Sequence, residues 1–175
     1  MERNDITDRP FRIKLWEHSP STEVICSFGS YMHNGTLALE LMCKPEDPMM
    51  GEIFGGGQQF FERYGTVTVN LDISHILPLN VQFVDENNMP GIGRWLQENN
   101  IAKPTGVGIK SGYVTYQAYA FNVPKQSLAE VESRRRQLNT LPPRADDMRQ
   151  AIKGLTKTSS IKRKRPQLRN PPNAP

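Results

Sequence analysis

Asn34-Gly35-Thr36-Leu37-Ala38-Leu39-Glu40-Leu41-Met42-Cys43 opens on the dipeptide that most favours a hairpin, because both of its residues tolerate positive φ. From Leu37 onward it alternates. Leu37, Leu39, Leu41 and Cys43 point one way, and Ala38, Glu40 and Met42 the other, the period of a half-buried strand. A turn feeding an alternating strand requires an antiparallel neighbour. Val24, Cys26 and Phe28 supply it upstream. Earlier still, Phe11, Ile13 and Leu15 alternate in a first strand, with Pro20 and its flanking serines as the break.

Downstream, Thr66 to Leu71 reads as a strand with Val67, Val69 and Leu71 inward, and residues 81–84 as another after the turn at Pro78. A last strand runs from Tyr113 to Phe121 and is rich in aromatics. One helix stands out: Asn88 is placed to cap it, Pro90 suits its first turn, Ile92, Trp95 and Leu96 form its apolar stripe, and Asn99-Asn100 ends it. These elements predict an α+β fold, a mainly antiparallel sheet of about five or six strands with one packed helix.

The domain organisation follows from composition. Residues 1–9 are polar and read as a flexible N-terminus, and residues 10–122 as the α+β domain. Within it, residues 44–65 form a loop insertion in which Phe54, Phe60, Phe61 and Tyr64 are interleaved with Gly51, Gly55, Gly56 and Gly57. Residues 123–175 lack aromatics, hold six prolines after Leu141, and read as a basic tail, disordered or loosely helical. Ser127 with Glu130 makes a capping box for a helix over 128–138. Ala145, Met148, Ile152 and Leu155 repeat at helical spacing, with Gly154 as a stop.

Charge is divided along the chain. Residues 1–124 carry 9 Lys/Arg and 14 Asp/Glu, whereas residues 125–175 carry 13 and 4. A mildly acidic body with a basic arm suits contact with a polyanion through the arm, DNA or RNA, and a solvated tail is the plainer alternative. Two clusters concentrate the charge: Arg134-Arg135-Arg136, and Lys162-Arg163-Lys164-Arg165. Such clusters neutralise phosphates and release counterions without reading sequence. The second also fits a nuclear import signal.

Other chemistry is poorly supported by the residues. The stretch Gly51 to Gln58 resembles a phosphate loop only superficially, because Gln58-Gln59 stand where a lysine and a hydroxyl are needed. Histidines 18, 33 and 75 and the two cysteines lack the paired spacing of a zinc site, so no metal and no cofactor is expected. A thiol-dependent enzyme using Cys26 or Cys43 requires an exposed, electropositive setting, and both are predicted to face inward. The start lacks the apolar core of a secretory signal and no stretch reaches the length of a membrane span, so no membrane partner and a cytoplasmic location with reduced thiols are expected.

Across residues 30–122 the chain resembles a family of small bacterial domains of unknown function found on conjugative elements and prophage-like regions of Gram-positive gut bacteria. The likeness rests on Asn34–Leu41, Tyr64–Leu71, Val84–Pro90, Trp95–Asn100, Pro104–Gly106 and Ser111–Tyr116, taken in that order. Residues 44–63 and the basic tail depart from the family pattern as an insertion and an addition. The resemblance implies a compact α+β accessory protein of a mobile genetic element, with no established catalytic residues to carry over, and the charge division suits a non-enzymatic binding protein whose tail holds DNA or RNA. An alternative is an anti-defence inhibitor of the anti-CRISPR or anti-restriction type that docks on a host nuclease complex. Either protein partner would meet the loop aromatics Phe54, Phe60, Phe61 and Tyr64.

Overall fold

The computed structural model describes residues 6–45 and 60–140. Among the described residues, eight strands form two antiparallel four-stranded sheets, where the sequence pattern counts five or six strands. The first sheet has the order β1-β2-β3-β4, from Phe11–Ile13 (β1), Thr22–Ser30 (β2), Leu37–Cys43 (β3) and Glu62–Thr66 (β4). The second is β5-β6-β8-β7, from Thr68–Val69 (β5), Val81–Val84 (β6), Ala102–Ser111 (β7) and Val114–Phe121 (β8). The described residues also form two α-helices, Ile92–Glu98 (α1) and Lys125–Thr140 (α2). The α+β class read from the pattern is the class observed.

The hairpin that opens the reading is present, with Ser30 opposite Leu37 and Val24 opposite Cys43. Its loop is longer than a two-residue Asn-Gly turn. Residues 31–36 close it, with the Gly35 N–H on the Tyr31 carbonyl and the Tyr31 N–H on the Thr36 carbonyl, both at 2.9 Å. Asn34 keeps an ordinary φ and Gly35 alone takes the left-handed region at +66°. The Asn34 side chain instead accepts from the Thr36 N–H and hydroxyl, the local bonding that makes asparagine a turn former.

The stretch read as one strand over 66–71 is divided at Val67. Thr66 ends β4 in the first sheet and Thr68 begins β5 in the second. Val67 is fully buried; its N–H bonds the Leu39 carbonyl and its own carbonyl receives the Asp85 N–H. One residue therefore holds both sheets.

The main core lies inside this bend. It takes the inward residues of β2 and β3 with Val84, Ile92, Leu96, Ile101, Tyr119 and Phe121. The helix α1 differs from its predicted start: Gly91, at φ 80°, is the N-cap, while Asn88 bonds back to Asp85 in the preceding turn. Its Trp95 Nε1 donates to the Arg12 carbonyl at 2.8 Å and meets Phe11 edge-on at 5.8 Å, fastening the helix to β1.

A second, smaller core occupies the other face of the second sheet. Phe83, Val81 and Ala118 form it, and Leu71, Ile73 and Leu77 of the single-turn segment around Asp72–Ile76 lie over them. Beyond it, β7 and β8 continue as a ribbon. Residues 103–108 and 110–113 are all exposed. A two-residue turn, Gly112-Tyr113, joins the strands, with Gly112 at φ 61° and Tyr113 at negative φ, as a II′ turn demands.

The last described element alters the reading of the C-terminal segment. Residues 125–140 form one helix of 16 residues, α2, which packs on β2 with Val131 fully buried in the main core. This part of the stretch read as a basic tail belongs to the folded body. A short amphipathic helix is marginal in isolation, and docking supplies the stability that local propensity does not. Among the described residues, no helix is long and apolar enough to cross a membrane.

Candidate nucleic-acid interface

Three consecutive arginines on an α-helix point about 100° apart, so Arg134, Arg135 and Arg136 cannot share one face. The structure separates them. Arg136 is exposed and bridges to Glu132 one turn earlier. Arg134 is half-buried, with Nη2 at 3.4 Å from the Met32 carbonyl. Arg135 turns into the body, where Nη1 donates to the Leu77 carbonyl at 2.9 Å. Its Nε and Nη2 are buried with no hydrogen-bond partner among the described residues, and burial lowers the guanidinium pKa. Arg135 thus points into the body, away from the exposed Arg136. The other predicted cluster, Lys162 to Arg165, lies outside the described residues.

The loop aromatics are also divided. Phe54 lies outside the described residues, and Phe60 and Phe61 are half-buried just ahead of β4. Tyr64 sits where the β3–β4 register shifts and packs against the main core. Burial raises its phenol pKa. Tyr64 therefore serves the sheet rather than standing out as an anchor for a partner.

A polar network ties the 31–36 loop to the second sheet. Gln82 is fully buried on the core side of β6, and its Nε2 donates to Thr36 Oγ1 and the Leu37 carbonyl, both at 3.1 Å. Thr36 Oγ1 donates to Asn34 Oδ1 at 2.9 Å, and Asn34 Nδ2 donates to Asn70 Oδ1 at 2.7 Å. Asn70 Nδ2 in turn donates to His33 Nε2 at 3.0 Å. Close by, the Tyr31 hydroxyl donates to the Thr68 carbonyl at 2.7 Å, and burial, more than any neighbouring charge, raises its pKa. Every member has a partner, which is the signature of a structural tie. Only the alternation of β6, which turns Gln82 toward the core, would have signalled it in advance.

The thiols are equally committed to packing. Cys26 stands opposite Leu41 and Cys43 opposite Val24, so the two are diagonal neighbours. Diagonal Cβ atoms in a sheet are about 7–8 Å apart, against about 3.5–4.5 Å for a disulfide. Both are reduced and buried, and burial pushes the Cys26 thiol up to about 12. Native protein at pH 8 should leave Cys26 unmodified by iodoacetamide over hours, with labelling only in urea; rapid native labelling would contradict the assigned burial. Because the folded pKa lies above the ordinary 9.0, this thiol's contribution to stability is complete below pH 9. It is lost as pH rises from 9 toward 12. The urea midpoint should accordingly decline across that interval, and a Cys26→Ala variant should decline less.

The β7–β8 ribbon exposes Lys103, Lys110 and Gln117, and Tyr113 at its tip is wholly exposed at 104%. Residues 99–129 contain three lysines and no acidic residue, whereas residues 1–98 contain 7 Lys/Arg and 14 Asp/Glu. In the folded body the ribbon is therefore the part from which acidic side chains are withheld.

Compared with known proteins, residues 26–138 match the family model described as "Domain of unknown function (DUF4313)". The match begins within β2 and ends in the last turn of α2, so it leaves out β1 but takes in β3 to β8, α1 and nearly all of the docked helix. No curated protein and no solved structure matches the chain.

Proposed function

From the premise that the chain belongs to the DUF4313 family of domains of unknown function, we propose that it is a non-enzymatic binding protein that contacts nucleic acid through its basic C-terminal segment. Its setting is that of an accessory protein of a bacterial mobile element. The observation that carries this reading is the distribution of charge about Thr140. Residues 1–140 carry 13 Lys/Arg and 16 Asp/Glu, and residues 141–175 carry 9 and 2. With α2 assigned to the body, the segment beyond it is more purely basic than the whole stretch from Val123.

An acidic body repels a polyanion while a basic segment attracts it, which places the electrostatic attraction at one end of the chain. The buried thiols and the fully partnered polar network support a binding role over a catalytic one, because neither offers a poised nucleophile.

The test is fluorescence anisotropy of labelled duplex DNA with the full chain across a salt series. It is compared with a variant carrying Lys162→Gln, Arg163→Gln, Lys164→Gln and Arg165→Gln. If all four side chains neutralise phosphates, the slope of log affinity against log salt becomes shallower by about 3–4. An unchanged slope removes the cluster from the interface. Absence of binding by the unmodified chain at near-physiological salt rejects the reading and directs attention to protein partners, host defence complexes among them.

A further inference from the structure

A sheet with a hydrophobic face keeps its strands only where that face is covered or its edges are protected. Much of the β7–β8 hairpin stands clear of a core: Gly106, Val107, Gly108, Lys110, Ser111, Tyr113, Thr115 and Gln117 are all exposed. Its two faces differ in character. Ile109 and Tyr116 pair across the strands on the side of the second core, and pack against it. The opposite side is polar: Lys110 faces Thr115, and Gln117 faces Gly108. Gln117 lies so close over that glycine that an added Cβ would come within 2.8 Å of its side-chain nitrogen.

What covers this polar side is indicated by its chemistry. An incoming peptide strand is discouraged, because β7 is an edge strand carrying Pro104, a register irregularity between Pro104 and Gly108, and lysines at both ends. A cationic protein surface would meet Lys110 on this side with no carboxylate on the hairpin to answer it. A polyanion meets favourable charge over the whole acid-free span of residues 99–129. The exposed donors are lysine, threonine, glutamine and tyrosine, side chains that bond phosphates and base edges. Glu86, 3.4 Å from the Tyr119 hydroxyl, marks the end of this surface at the base of the ribbon.

We infer that the β7–β8 hairpin is a second nucleic-acid contact, a two-stranded ribbon that enters the major groove of duplex DNA with Lys110, Thr115 and Gln117 against the groove and Tyr113 leading. This rests on the nucleic-acid reading proposed above and adds to it a surface on the folded body. Two strands lie about 4.8 Å apart, and the B-DNA major groove is about 12 Å wide and admits such a ribbon. The major groove of A-form RNA is too deep and narrow for it. The basic segment does not distinguish the two duplexes in this way, since it neutralises phosphates common to both.

Anisotropy with a DNA duplex and an RNA duplex of matching sequence tests the inference in the full chain. The unmodified protein is expected to bind the DNA roughly tenfold more tightly, the scale set by a good groove contact. A Lys110→Ala, Thr115→Ala, Gln117→Ala variant should bind both duplexes within about twofold. Its urea midpoint should match the parent's, because all three side chains are exposed. Tyr113→Glu, at a position with no packing to lose, should lower DNA affinity while leaving RNA affinity nearly unchanged. Equal binding of both duplexes by parent and variants overturns the ribbon and leaves the basic segment's role standing. Loss of all binding in the Lys162–Arg165 variant, together with a DNA preference in the parent that the ribbon variants do not alter, also overturns it. A DNA preference that survives in the Lys162–Arg165 variant and vanishes in the ribbon variants supports the ribbon and rejects the basic cluster.

Discussion

Gly35→Ala is expected to reduce folding stability by about 2–5 kcal/mol, adding the strain of an L-residue in the left-handed region to that of overpacking a filled site. Gly35 has φ +66°, and a Cβ built on it would fall 2.7 Å from the Cα and 2.8 Å from the N of Arg135. Those are backbone atoms of α2 and cannot swing aside as the end of a long side chain can. The helix would have to lift from the 31–36 loop, and Val131 would leave the core with it. Gly106→Ala provides the comparison. Its φ is +78°, but nothing lies within 4 Å of the added Cβ. It should therefore show only the backbone part, about 1–2 kcal/mol. Urea unfolding of both variants checks the difference, and hydrogen exchange along residues 125–140 locates it. Equal losses in the two would show that α2 does not rest on the loop.

That close approach explains why the most legible feature of the sequence was only half understood. Asn34-Gly35 signals a turn through the conformational freedom of glycine, and the turn is there. The second reason for a glycine, the passage of a helix backbone 100 residues later in the chain, leaves no local trace. The same holds for α2. Ser127 and Glu130 predict a helix, but its fully buried apolar contact is Val131, and one valine in a polar helix is a weak signal of docking. Arg135 reads as part of a basic cluster because charge is visible in sequence and direction is not.

Elsewhere local signals concealed structure rather than revealing it. Pro104, Gly106 and Gly108 are residues that ordinarily interrupt a strand, yet they lie in β7, an edge strand where a missing N–H and an irregular register are tolerated. The candidate ribbon was hidden for that reason. Val67, Val69 and Leu71 alternate faultlessly, but the chain changes sheets at Val67, and alternation says nothing about which sheet a residue joins. The inward set of β2 and β3 was legible in full, because a strand buried on one face must alternate. The basic cluster at 162–165 was legible as charge alone, which is why its assignment depends on a salt slope.

The second core provides the other large effect. Phe83 is fully buried on the face of β6 that turns away from the main core, where it meets Val81 and Ala118. Leu71, Ile73 and Leu77 lie over it, and Tyr116 and Ile109 of the ribbon rest against the same cluster. Phe83→Ala removes the largest side chain from a cluster with only two other buried members, and few neighbours are available to collapse into the space. A loss of about 3–5 kcal/mol is expected, or roughly 10 °C in melting temperature for a body of this size. Amides of residues 81–84 and 114–120 should exchange faster, while those of β2 and β3 remain protected until global unfolding. Phe83→Leu, which retains most of the buried volume, should cost clearly less. A loss below about 1 kcal/mol for Phe83→Ala would mean that the Leu71–Leu77 segment does not seal this face. The base of the ribbon would then have no rigid support, and a groove contact needs a support of that kind to present Lys110, Thr115 and Gln117 in a fixed order.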